Sequence, residues 1–128
     1  MGKISEFTAQ DYEVIARDYA DLKEAARKRC ADEAELEVIQ KAFDFANEAH
    51  KGVRRRSGEP YILHPIAVAK IVVSNIGLGY KSIVAALLHD VVEDTDTTHM
   101  DLVEAFSQEI ADLVDSLTKL DKYEFKSK

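Results

Sequence analysis

The chain has 128 residues and a mass of 14.3 kDa, one domain's worth, with 46% hydrophobic and 32% charged residues, which excludes a disordered polymer. Its net charge of -7 argues against general nucleic-acid or anionic-membrane binding, because phosphate contacts need a cationic face. No apolar run approaches the roughly 20 residues of a membrane span, the N-terminus lacks a signal-peptide block, and the lone Cys30 suits a reducing interior.

Taken in chain order, the apolar spacing predicts helices almost throughout. Thr8-Ala9-Gln10-Asp11 reads as an N-cap opening a helix that reaches about Arg29, with Tyr12, Ile15, Ala16, Tyr19 and Leu22 on one face. Asp32 or a neighbour restarts a helix through Leu36, Ile39, Phe43 and Ala46 that stops at His50-Lys51-Gly52. Residues 51–63 read as an Arg-rich loop broken by Gly58 and Pro60. Pro65 suits the first turn of a third helix, Ile66 to Ile76, closed by Gly77. Ser82 is placed as the cap of a fourth helix carrying His89-Asp90 and Glu93-Asp94, which Asp94-Thr95-Asp96-Thr97-Thr98 breaks. A short helix from about His99 to Phe106 and one from Ser107 through Leu120 complete an all-α domain with no internal repeat.

The most informative stretch runs from Ile83 to Asp94. Six apolar residues lead into a His-Asp pair, and a Glu-Asp pair follows one turn later. Charged groups are rarely buried without a compensating partner, and a metal ion is an economical one. His89 and Glu93 share a helical face, as do Asp90 and Asp94. Adjacent residues point about 100° apart, so His89 and Asp90 both reach one ion only at a helix edge or terminus. Imidazole with carboxylate suits Mn²⁺, Fe²⁺ or Zn²⁺. The competing reading is a core histidine beside a solvated helix end. His64, before Pro65 and so extended or turn-like, supplies a third ligand of matching type. His50 is explained by the dipole of a helix C-terminus and His99 as a surface residue. Lys51, Arg54, Arg55 and Arg56 make a local cationic loop in an acidic chain; guanidinium groups fork onto phosphate and stack on purines.

Arg55-Arg56-Ser57-Gly58-Glu59-Pro60-Tyr61-Ile62-Leu63-His64-Pro65, followed by Ala85 through Thr95, strongly resembles the hydrolase domain of the RelA/SpoT homologue family, within the HD metal-phosphohydrolase superfamily. The resemblance covers roughly residues 36–128 and implies a multi-helix HD fold, with residues 1–35 as an N-terminal helical lead-in. It implies removal of the 3′-pyrophosphate from (p)ppGpp, the alarmone of the stringent response, giving GDP or GTP and pyrophosphate. The implied ion is Mn²⁺ or another divalent transition metal, and the implied setting is cytoplasmic. By position, His64, His89 and Asp90 match metal ligands. Glu93 and Asp94 match the acidic pair that positions and activates the attacking water. Arg55 matches the residue that stacks on guanine, with Arg56 and Ser57 beside the nucleotide and its phosphates. The implied partner is the guanine nucleotide alone, with no nucleic acid and no membrane; the oligomeric state stays open.

A further Asp ligand of the family, with a neighbouring Asn, has no counterpart segment here, and the synthetase and regulatory regions of long members are absent. The expectation is an N-terminal fragment: a C-terminally truncated HD domain with an incomplete ligand set and impaired hydrolysis. The uncapped ending, with Tyr123 and Phe125 left over, agrees with it. Two other readings stand beside this one. An HD-type enzyme could cleave a different phosphorylated nucleotide, or the domain could be a non-enzymatic regulatory or oligomerisation module pairing through residues 8–50.

Overall fold

A computed structural model describes residues 6–76 and 79–121. The expected stop at Gly77 and the expected overhang at Tyr123 and Phe125 lie outside the described residues.

Helix α1 (Ala9–Arg27) opens on a capping box. The Thr8 hydroxyl accepts the Asp11 N–H at 3.1 Å, and the Asp11 carboxylate accepts the Thr8 N–H at 2.8 Å. Its buried stripe is Ile15, Tyr19, Leu22 and Ala26. Tyr12 and Ala16, expected on that face, are exposed. The stripe advances by four and three residues, so Ala16 is turned a full 100° from Ile15, and Tyr12 lies a turn ahead of the packed segment, edge-on to Phe7.

Asp32 caps α2 (Glu33–Ala49) through the Glu35 N–H at 3.1 Å. Leu36, Ile39, Ala42, Phe43 and Ala46 are buried, and the Tyr19 and Phe43 rings stack 3.9 Å apart, locking α1 to α2. His50 is the C-cap, and Gly52 follows with φ +78°, a left-handed value that stops the helix.

The loop between α2 and α3 is a tight hairpin. The Tyr61 N–H donates to the Val53 carbonyl at 2.8 Å and the Arg55 N–H to the Glu59 carbonyl at 2.9 Å. Gly58 makes the reversal at φ +104°. The chain then enters α3 (Leu63–Ile71), which widens into a π-helical turn at Val72–Ile76. His64 is therefore helical, not extended as its place before proline suggested. Pro65 is the third helical residue, where a missing N–H costs nothing, and the His64 N–H is taken by the Tyr61 carbonyl at 2.9 Å.

Helix α4 (Tyr80–Leu88) has its N-cap at Gly79, three residues before the expected Ser82, because the Gly79 carbonyl already accepts the Ser82 and Ile83 N–H groups. Every residue from Ile83 to Leu88 is buried, and α4 packs against α2, α3 and α7. Burial of a Leu or Ile side chain contributes about 1.5–3 kcal/mol, so this helix is the thermodynamic centre of the molecule. The single helix expected to carry both acidic pairs is two helices. At His89 the N–H tightens onto the Ala86 carbonyl, three residues back, and α5 (Val91–Asp94) starts afresh beyond Asp90.

Thr98 opens α6 (His99–Ala105) with a second capping box, and the Ser107 hydroxyl accepts the Ile110 N–H as α7 (Gln108–Asp121) begins, Ser107 being the expected start of that helix. Among the described residues there is no strand; Arg54 and Pro60 form one isolated bridge. Of the described helices none is long and apolar enough to cross a membrane.

Candidate metal centre

The break between α4 and α5 brings the predicted ligands together. A continuous helix would splay His89 and Asp90; a terminus lets both side chains face one point. His64, from the first turn of α3, faces the same point. One ligand atom each from His64, His89 and Asp90 lie within 4.8 Å of one another. The Asp90 Oδ2 atom is 3.2 Å from His89 Nε2 and 3.5 Å from His64 Nε2.

His89 and Asp90 are fully buried, and the His64 side chain is 12% exposed. The His89 Nδ1–H donates to the Ala86 carbonyl at 2.6 Å, which fixes the ring with Nε2 turned to the cluster. The Thr118 hydroxyl of α7 donates to the His89 carbonyl. Two imidazoles and a carboxylate, buried and convergent, fit a divalent transition metal, and the residues present therefore suit the ion an HD site implies.

Tyr61 had no role in the reading of the sequence, yet it joins the two acidic positions. Its hydroxyl lies 3.0 Å from Asp90 Oδ2 and 2.9 Å from Asp94 Oδ2. Burial first, then the charges of Asp90 and Asp94, push the phenol far above its ordinary pKa, so the proton stays on it. His50, assigned to a helix dipole, is indeed at the α2 terminus but is fully buried, with its ring 5.0 Å from that of Tyr61.

The remaining predicted residues divide. Asp94 is half-buried and turned to Tyr61, whereas Glu93 is exposed. Asp94 also lines an open cleft of about 560 Å³ shared with Lys51, Val53, Thr95 and Thr97. Arg55 lies over the Tyr61 ring at 5.8 Å and pairs with Glu59 at 3.7 Å, so the hairpin holds it at the rim of the site. Ser57 donates to Glu59 at 2.6 Å, and Arg56 is exposed. Arg54 turns the other way, onto Asp11 at 2.6 Å.

A second grouping, His99 with Asp112 and Asp115, lies on the surface. The imidazole nitrogens are 3.8 and 3.2 Å from the two carboxylates, both of which are exposed.

The chain is 46% identical over 91 residues to a guanosine-3′,5′-bis(diphosphate) 3′-pyrophosphohydrolase of Aquifex aeolicus (strain VF5), covering 71% of this chain and 13% of that protein. It is 45% identical over 96 residues to the bifunctional (p)ppGpp synthase/hydrolase SpoT of Escherichia coli (strain K12), covering 75% and 14%. It is 47% identical over 98 residues to a probable GTP pyrophosphokinase of Mycobacterium leprae (strain TN), covering 77% and 12%. The chain thus spans about an eighth of the length of these curated relatives. The resemblance to the RelA/SpoT enzymes drawn from the motifs holds. The HD domain family model matches residues 42–127, which take in His64, the His89-Asp90 pair and the Glu93-Asp94 pair, and the chain belongs to the HD domain family.

Proposed function

We propose that this chain carries metal-binding and catalytic residues of a Mn²⁺-dependent (p)ppGpp 3′-pyrophosphohydrolase, which releases pyrophosphate and leaves GDP or GTP. The observation that carries the reading is the buried convergence of His64, His89 and Asp90 beside Asp94, in a chain whose relatives are named for this reaction. His64, His89 and Asp90 hold the ion. When bound, a divalent ion supplies positive charge that stabilises charge developing on phosphate oxygens and lowers the pKa of water. Asp94, with Glu93, orients the attacking water and accepts its proton as the bond between the 3′ oxygen and the adjacent phosphorus breaks. Arg55 stacks on the guanine, its plane already supported by the Tyr61 ring, and Arg56 and Ser57 contact the nucleotide phosphates. An acidic chain with one cationic hairpin favours a small anionic nucleotide over a nucleic acid. The substrate and the unpaired Cys30 both fit the cytoplasm.

The test is pyrophosphate release from ppGpp with Mn²⁺. It compares this chain with a joined protein, in which this chain replaces the matching segment of the Aquifex aeolicus relative. Release by the joined protein, reduced to background by His89→Ala or Asp90→Ala, is the expected result. Undiminished turnover in either variant overturns the metal-ligand assignment. Mn²⁺ binding without release of pyrophosphate would move the reading to a different phosphorylated nucleotide.

A further inference from the structure

Asp94 needs a device to hold it in place. It sits on α5, a helix of four residues, whose backbone support is the Asp94 N–H on the Asp90 carbonyl and the Thr95 N–H on the Val91 carbonyl. One turn of helix is marginal by itself, since its nucleation fixes several residues for very few hydrogen bonds. Tyr61, by contrast, is held at both backbone and ring. Its backbone N–H donates to the Val53 carbonyl, its ring stands 5.0 Å from that of His50 and 5.9 Å from that of His64, and the Arg55 guanidinium lies over it at 5.8 Å.

We propose that Tyr61 is a positioning residue whose hydroxyl clamps the ligand carboxylate of Asp90 to the proton-accepting carboxylate of Asp94. One O–H serves two acceptors, Asp90 Oδ2 at 3.0 Å and Asp94 Oδ2 at 2.9 Å, and the same Asp90 oxygen faces both imidazoles. The clamp does two things. It orients the ligand oxygen, as groups hydrogen-bonded to metal ligands do, and it fixes the distance between the ligand set and the acid that receives the proton. The hairpin register sets the clamp, because the Val53–Tyr61 bond aims the phenol at the gap between α4 and α5.

This inference rests on the metal-centre reading, and the experiment separates the two. Mn²⁺ binding to this chain is titrated by electron paramagnetic resonance for the unsubstituted protein and for Tyr61→Phe. The substitution keeps the ring contacts and removes only the hydroxyl. The expected result is binding weakened about 10- to 100-fold, the usual effect of losing a hydrogen-bond partner of a metal ligand. In the joined protein kcat should fall about 10- to 100-fold, with KM for ppGpp unmoved, because the hydroxyl touches the acids and not the nucleotide. Equal Mn²⁺ affinity with equal kcat overturns the clamp and leaves the metal centre standing. A matching rise in KM overturns it too, since Tyr61 would then be a substrate contact. No Mn²⁺ binding by the unsubstituted chain overturns the metal centre, and the clamp with it. A measurement free of any variant is proton NMR of the unsubstituted chain with diamagnetic Zn²⁺. A slowly exchanging Tyr61 hydroxyl proton that shifts on adding Zn²⁺ supports the clamp, and one in fast exchange with water overturns it.

Discussion

Arg54 and Arg55 are neighbours with opposite duties. Arg54 donates to Asp11 at 2.6 Å, to the Glu6 carbonyl at 2.9 Å and to the Gly58 carbonyl at 2.9 Å, and its guanidinium lies over Phe7. It ties the start of α1 to the hairpin, while Arg55 faces the site. The hydrogen bond from Arg54, with those from Thr8, holds the Asp11 carboxyl below its ordinary value of 3.8. A depressed folded pKa gives stability that is present above the unfolded value and lost as the pH falls through the folded one. Asp11→Asn should therefore lower the melting temperature at pH 7. The difference from the unsubstituted chain should shrink as the pH falls below 3.8 and vanish once Asp11 is protonated. Circular-dichroism melts across that range check this; a difference independent of pH would mean that Asp11 acts through packing alone.

Among the elements, α4 carries the most burial for its length. Leu87→Ala should cost about 2–5 kcal/mol by urea denaturation, because the cavity is enclosed by α2, α3 and α7. Met100→Ala, at a side chain 58% exposed on α6, should stay within about 0.5 kcal/mol. Equal costs would contradict the assignment of the core. The element pattern was legible because its signals are local: Thr8, Asp32, Thr98 and Ser107 cap as their side chains dictate, and Gly52 stops α2. What escaped depends on partners distant in sequence. The division at His89-Asp90 involves Thr118, 29 residues on. The choice between Arg54 and Arg55 follows from hairpin register, which four cations in six residues do not reveal. Tyr61 read as an aromatic in a loop, because nothing nearby in sequence shows that two carboxylates converge on its hydroxyl.

The molecule as a whole closes one core around the candidate centre, with residues from Phe7 to Val114 in a single cluster. An ion that binds only the folded form adds stability by mass action, about 2.7 kcal/mol at a hundredfold excess over Kd. Mn²⁺ should thus raise the melting temperature of this chain by several degrees, EDTA should reverse the rise, and His64→Ala should abolish it. Differential scanning fluorimetry decides the matter; an equal shift in the His64→Ala variant would place the ion elsewhere, the exposed His99 pair being the obvious alternative.

The contact between the Thr118 hydroxyl and the His89 carbonyl has a consequence in time. His89 and Asp90 are made together during synthesis, but the backbone that presents them is braced from the last described helix. Local helices form on the microsecond scale, whereas docking of a distant segment waits for the chain to close a long loop. The backbone that presents these candidate ligands is therefore braced only once α7 has docked on α4, so their final placement depends on a helix that follows them in the chain.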